Sequence, residues 1–228
     1  MFWIIFIGTL AISFWAQSRV KSAYRRYAQV GAISGVTGAQ AAAQIMQRAG
    51  ITDVEILAQP GELTDHYDPL RKRLVLSEPN YHGRSLAAIG IAAHEAGHAV
   101  QHAKAYAPLH LRMAAVGITN IASPMAMWGP IIAIFFFGLS VQVGLWIAAI
   151  GWGIIMAFNL ITLPVEFDAS KRAKEMLLET GLMQAGQESD GVNRMLGAAA
   201  LTYVAAFITS LAYFLYYILP LVTGGSDD

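Results

Sequence analysis

The sequence predicts a mainly α membrane protein, with four transmembrane helices and a polar layer that contains a small β-meander. Three observations carry this expectation. Of the 228 residues, 56% are hydrophobic and only 13% are charged, about half the charged share of an ordinary soluble domain, and the mean hydropathy is +0.48. Residues 1–18, 113–165 and 195–226 contain no Asp, Glu, Lys, Arg or His. Between these stretches the chain turns polar and carries turn signals and short β-like runs.

A helix that crosses the hydrocarbon core needs about 20 apolar residues. The first and third stretches fit one span each, and the second is long enough for two, joined by a turn near residues 138–142. The expected spans are 2–18, 117–137, 143–163 and 199–221. Pro124 and Pro130 fall inside the second, where membrane helices tolerate them. No basic residue precedes the first span, whereas Arg19, Lys21, Arg25 and Arg26 follow it, so it reads as a retained anchor and not as a signal peptide. All 15 Lys and Arg lie within 19–112 or 171–194. Four spans put both segments on one face, which basic-residue bias makes cytoplasmic; the N-terminus, one short turn and the tail 224–228 fall opposite.

Formal net charge is zero, so no overall field recruits nucleic acid, and none is expected as a partner. The chain has no cysteine, which excludes disulfides, thiolate metal ligands and a cysteine nucleophile.

Within the polar part, Thr37 and Gln40 form a capping-box pattern that opens a helix through Arg48, closed by Gly50. Runs at 54–57, 63–67 and 73–76, separated by Pro60-Gly61 and Asp68-Pro69, read as the strands of the meander. Ser85 is a candidate N-cap for the next helix.

That helix carries His94-Glu95-Ala96-Gly97-His98 in an apolar setting. Residues four apart share a helix face, so His94 and His98 can offer two imidazoles to one metal ion while Glu95 turns toward a water on it. Zinc suits imidazole and carboxylate ligands, keeps a position open for water and makes that water acidic; Glu95 is then the general base. His102 lies one turn further on and reads as a ligand, a supporting donor or the polar end of the helix. Two imidazoles need a third ligand. The spacing beyond His98 does not continue as His-x-x-Gly-x-x-His, which excludes the metzincin pattern. Glu166 is the leading candidate, being the first ionisable residue after 113–165, where a carboxylate beside a span is costly without a task. It is expected in the first turn of a helix over 167–180. Asp168 is the alternative, and Glu175 and Glu179 read as solvated charges. Tyr203, His110 and Arg194 are candidate transition-state donors.

These residues carry a resemblance. The run from His94 to His102, together with Leu163-Pro164-Val165-Glu166-Phe167-Asp168-Ala169-Ser170 and the earlier Asp65-His66-Tyr67-Asp68-Pro69 and Leu76-Ser77, resembles the YugP-like family of bacterial membrane neutral zinc metallopeptidases over essentially the whole chain. More distantly it is similar to HtpX and the CAAX prenyl endopeptidases. Those families take a third ligand Glu from a helix beyond a membrane hairpin, which implies the same role for Glu166. They usually place Asp four residues after that Glu, where this chain has Ser170.

The resulting expectation is a zincin-like (gluzincin) catalytic layer on the cytoplasmic side of a multi-pass cell-membrane protein. The chain divides into a first span (1–18), a catalytic segment (19–112), a membrane hairpin (113–165), a third-ligand segment (166–198) and a last span with its tail (199–228). The expected activity is a Zn2+-dependent endopeptidase acting on protein or peptide bound extended along the meander edge around 63–76, with the lipid bilayer as its other partner. The alternatives are an intramembrane site-2-type metalloprotease, against which Arg84, Lys104, His110 and Arg112 bracket the motif, and a non-catalytic metal-dependent scaffold, against which Glu95 speaks.

Overall fold

The computed structural model describes residues 1–223; the tail 224–228 lies outside the described residues. Seven helices and three strands follow one another as α1 (Phe2–Ala28), α2 (Gly38–Arg48), β1 (Glu55–Gln59), β2 (His66–Asp68), β3 (Arg73–Ser77), α3 (Glu78–His82), α4 (Leu86–Ala103), α5 (Ala107–Phe135), α6 (Val141–Glu179) and α7 (Gln187–Thr223). They gather into two compact units. One comprises Met1–Trp15, His110–Leu163 and the described residues from Thr202 onward, the other Ala16–Leu109 and Pro164–Leu201.

The first unit is built from the most apolar parts of α1, α5, α6 and α7, which among the described residues are the four helices long and apolar enough to cross a membrane. Its surface exposes Trp3, Phe14, Ile121, Trp128, Phe135 and Ile150, an apolar area that water would not tolerate but a bilayer solvates. Between α5 and α6 small residues let the backbones approach. A Cβ placed on Gly151 would lie 2.7 Å from the Ala126 Cβ, and one on Gly129 would lie 2.6 Å from Ile147, the small-residue packing that membrane helices use. Asn159 donates to the Ala206 carbonyl (3.2 Å) and the Ser210 hydroxyl (3.1 Å). Trp152 stacks on Tyr213 at 4.4 Å. α5 ends at Phe135, and Gly138 with φ +65° turns the chain into α6.

The second unit is organised around α4, which is buried along almost its whole length. Ser85 caps it by accepting from the Ala88 amide (3.1 Å). α2 packs Ala41, Ala42, Ile45 and Met46 into the same core. It starts at a complete capping box, with Gln40 N–H donating to the Thr37 hydroxyl (3.2 Å) and Thr37 N–H to the Gln40 side chain (2.9 Å). Alanine and glycine dominate α4, so its neighbours come close: a Cβ on Gly97 would lie 2.7 Å from the Ala169 carbonyl oxygen of α6, and one on Gly90 would lie 2.8 Å from the Met195 side chain of α7.

The three strands do not form the expected meander. Their order is β1-β3-β2, with β1 parallel and β2 antiparallel to β3. β3 takes the centre because it is the most apolar strand and buries Leu74, Val75 and Leu76. The β2–β3 connection is a tight turn in which Asp68 accepts from the amides of Leu70 (2.9 Å) and Arg71 (3.1 Å). The parallel pair is joined across its start by Arg73 and Glu55 (3.2 Å). Asp65 ties the end of β3 to α3, accepting from the Ser77 amide (2.8 Å), the Ser77 hydroxyl and the Asn80 side chain (2.9 Å).

A second expectation is also corrected. Glu166 does not open a new helix over 167–180, because α6 runs unbroken from Val141 to Glu179 through Pro164. Proline removes one amide donor there, a loss that membrane helices accommodate.

The Gly97 contact is testable. Gly97→Ala should destabilise the protein by about 1–3 kcal/mol, read as a lower unfolding midpoint in detergent, because the opposing atom is backbone and cannot rotate away. Gly117→Ala, with nothing within 4 Å of the added carbon, should leave the midpoint where it is.

Candidate metal centre

His94 and His98 stand one turn apart on α4, and Glu166 faces them from α6. The Glu166 Oε2 lies 3.3 Å from His94 Nε2 and 3.6 Å from His98 Nε2, and the donor atoms of the three residues all fall within 4.8 Å of one another. The imidazoles meet edge to face with centroids 4.8 Å apart. His98 and Glu166 are buried, and the His94 side chain keeps 13% of its surface exposed, so the group sits at the floor of the unit with one side accessible.

The hydrogen bonds behind the rings decide what the front can do. Gln101, fully buried, lies 3.0 Å from His98 Nδ1 through its Oε1. Its amide nitrogen donates to the Val165 carbonyl (2.8 Å) and to Asp168 Oδ2 (2.8 Å). Both of those partners are acceptors only, so the amide orientation is fixed. Oε1 then accepts from His98 Nδ1, which leaves Nε2, the nitrogen that faces Glu166, as the atom that could ligate a metal. Asp168 is itself held by Arg172, whose Nε donates at 2.6 Å. Behind the other ring, Ser170 Oγ lies 3.1 Å from His94 Nδ1. Two backed imidazoles and one carboxylate, with no cysteine, form a donor set that fits zinc.

The electrostatics favour a cation in this place. Burial alone would lower the pKa of His98, but the carboxylates of Glu166 and Glu95, together with Gln101, raise it above the ordinary imidazole value. Glu95, buried beside the imidazoles, is pushed above the ordinary carboxylate range by desolvation; His94 and His98 pull it down only in part. A buried carboxylate with raised proton affinity is a candidate proton acceptor.

The other candidates stand elsewhere. His102 Nδ1 pairs with the Tyr67 hydroxyl of β2 at 2.9 Å, and His102 is not among the residues whose donor atoms cluster. Burial raises the Tyr67 hydroxyl to about 12, with the charges of Asp53 and Asp68 adding to the shift, so this phenol keeps its proton. Asp168 supports Gln101, and Glu175 pairs loosely with Lys171 on the surface at 3.9 Å. Tyr203 and His110 are residues of the apolar unit, and Arg194 lines a cavity with residues of α1. Gln101 is the residue sequence reasoning missed. Its signal was a lone uncharged polar side chain three residues past His98 in an apolar helix.

Replacing Gln101 with Met keeps the volume and removes every bond behind His98. Metal affinity should fall about 10–100-fold in a chelator competition, with the helical content by circular dichroism unchanged. Equal affinity in the variant would show that the ring is held by packing alone.

Residues 2–222 match the family described as "Putative neutral zinc metallopeptidase". The chain is 43% identical over 233 residues, covering the whole of both proteins, to the "Putative membrane protease YugP" of Bacillus subtilis (strain 168). No solved structure matches. With the match spanning nearly every residue, the chain belongs to this family of neutral zinc metallopeptidases, whose cofactor is Zn2+.

Proposed function

We propose that the protein is a membrane-bound, zinc-dependent endopeptidase in which His94, His98 and Glu166 hold the metal and Glu95 is the general base. The observation that carries the reading is the convergence of two imidazole Nε2 atoms and one carboxylate oxygen within 4.8 Å, beside a buried glutamate of raised proton affinity. Zinc, when bound there, supplies an acidic water and polarises a peptide carbonyl. Glu95 takes the proton of that water and returns it to the departing amine. Gln101 and Ser170 keep the two rings facing inward. Arg172 and Asp168 hold Gln101 in turn.

Substrate lies extended along an edge of the sheet, where backbone bonds suffice for recognition. β2 is an edge strand, and the Tyr67–His102 pair ties it to α4 one turn beyond His98. The unit that holds the group also carries exposed ion pairs, Asp53 with Lys72, Glu55 with Arg73, and Lys171 with Glu175. Those pairs suit a water-facing catalytic layer on the cytoplasmic side and speak against hydrolysis within the bilayer.

Glu95→Gln should retain zinc and lose hydrolysis of a denatured protein substrate about 10²–10⁴-fold, with metal content and activity measured on the same preparation. Activity near wild type would refute the base, and loss of zinc would make Glu95 structural. In parallel, Glu166→Ala should lose most of the metal, Asp168→Ala much less and Glu175→Ala none. Zinc retained by the Glu166 variant and lost by the Asp168 variant would move the third ligand to residue 168.

Topology is a separate test. A reporter inserted at Gly61 or Gln187 should read as cytoplasmic and one fused after Asp228 as external, since four spans gather all 15 basic residues on one face. A cytoplasmic C-terminal reporter would remove one span from the count.

A further inference from the structure

In the polar unit, α1 and α7 border a cavity of about 490 Å3 lined by Arg19, Ser22, Ala23, Arg26 and Tyr27 on one side and by Arg194, Gly197, Ala198 and Leu201 on the other. Each helix contributes the same stripe, with positions i, i+3, i+4 and i+7 on one face. Arginine opens both stripes, and small residues follow it, so the space stays open between the guanidinium groups. The helices are held together at the next turn: a Cβ on Gly191 would lie 3.0 Å from the Tyr27 ring, and Tyr27 is buried. The Arg26 guanidinium sits 5.7 Å above the centre of that ring, which limits where it points.

The charge arrangement is unbalanced. No carboxylate lines the cavity, and among the described residues Arg19, Arg26 and Arg194 join no ion pair with an acid of the kind that Arg71, Lys72, Arg73, Lys171 and Arg172 make. Three like charges around one space repel one another unless an anion occupies it, and guanidinium groups pair with phosphate oxygens through two parallel bonds. The position of the cavity along the chain names the anion's source. Arg19 is the first charged residue after the uncharged stretch 1–18, and Arg194 is the last before the uncharged stretch 195–226. Both helices therefore pass from apolar to polar at this cavity, the level at which phospholipid headgroups lie. Its volume falls in the range of small-molecule sites, about 300–1,000 Å3, and Leu201, Ala23 and Ala198 give it apolar wall for the glycerol end.

We infer that the α1–α7 cavity is a binding site for the phosphate headgroup of an anionic phospholipid, gripped by Arg19, Arg26 and Arg194. The site is independent of the zinc chemistry. Lys21 and Arg25 lie on α1 beside these residues but do not line the cavity, which separates a built site from general attraction of a basic surface to an anionic bilayer.

The test uses the full chain in uncharged detergent, with bound lipid counted by native mass spectrometry during titration with phosphatidylglycerol, phosphatidylcholine or inorganic phosphate. Wild-type protein should retain phosphatidylglycerol and not phosphatidylcholine. Arg19→Gln, Arg26→Gln and Arg194→Gln should each weaken that retention about fivefold, whereas Lys21→Gln and Arg25→Gln should leave it unchanged. The single substitutions are exposed and preserve helix-forming character, so folding is verified in each by its unfolding midpoint. Equal retention in the three cavity variants overturns the site. So does an equal loss in Lys21→Gln and Arg25→Gln, which would mark diffuse attraction. Displacement of the lipid by inorganic phosphate at the lipid's own concentration would make this a free-anion site and overturn the lipid assignment.

Discussion

The approach of α6 to α4 at Gly97 is the contact on which the centre rests. Ala169 of α6 brings its carbonyl oxygen so near that a Cβ on Gly97 would sit 2.7 Å from it. That closeness puts Glu166, one turn earlier on α6, and Ser170, one residue later, within reach of the His94 and His98 rings. A bulkier residue at 97 would separate the helices, and a carboxylate side chain has little spare length with which to follow. Glycine at the third position between the two histidines is thus a packing requirement as much as a helical one.

Closeness alone would be unfavourable, since it buries two carboxylates together. The arrangement is made tolerable by where the positive groups stand. Imidazoles lie in front of Glu166, and a cation between them would offset the desolvation of both acids. Behind, Asp168 is neutralised by Arg172 and passes its acceptor strength through Gln101 to His98. The two rings are supported differently. His98 is backed by an amide tied to a carboxylate, and His94 by the hydroxyl of Ser170, which adds no charge.

Much of this was legible in the sequence because its causes are local. The capping box of α2, the Ser85 cap of α4 and the four apolar helices each follow from a few neighbouring residues or from an unbroken run without charge. The misreadings were of another kind. β3 became the central strand because Leu74, Val75 and Leu76 are buried from both sides, a property of what packs on the strand and not of its turn signals. Continuity of α6 through Pro164 was hidden because proline and the first charge in a long run together look like a boundary. Gln101 was passed over since its partners, Val165 and Asp168, come from a helix more than sixty residues away; pairing across such a distance leaves no local pattern.

The continuity of α6 has a consequence for how such a chain can work. One helix carries both the apolar stretch ending at Val165 and the carboxylate that follows it. The carbonyl of Val165 is itself a hydrogen-bond partner of Gln101, so the last residue of the uncharged stretch helps to orient His98.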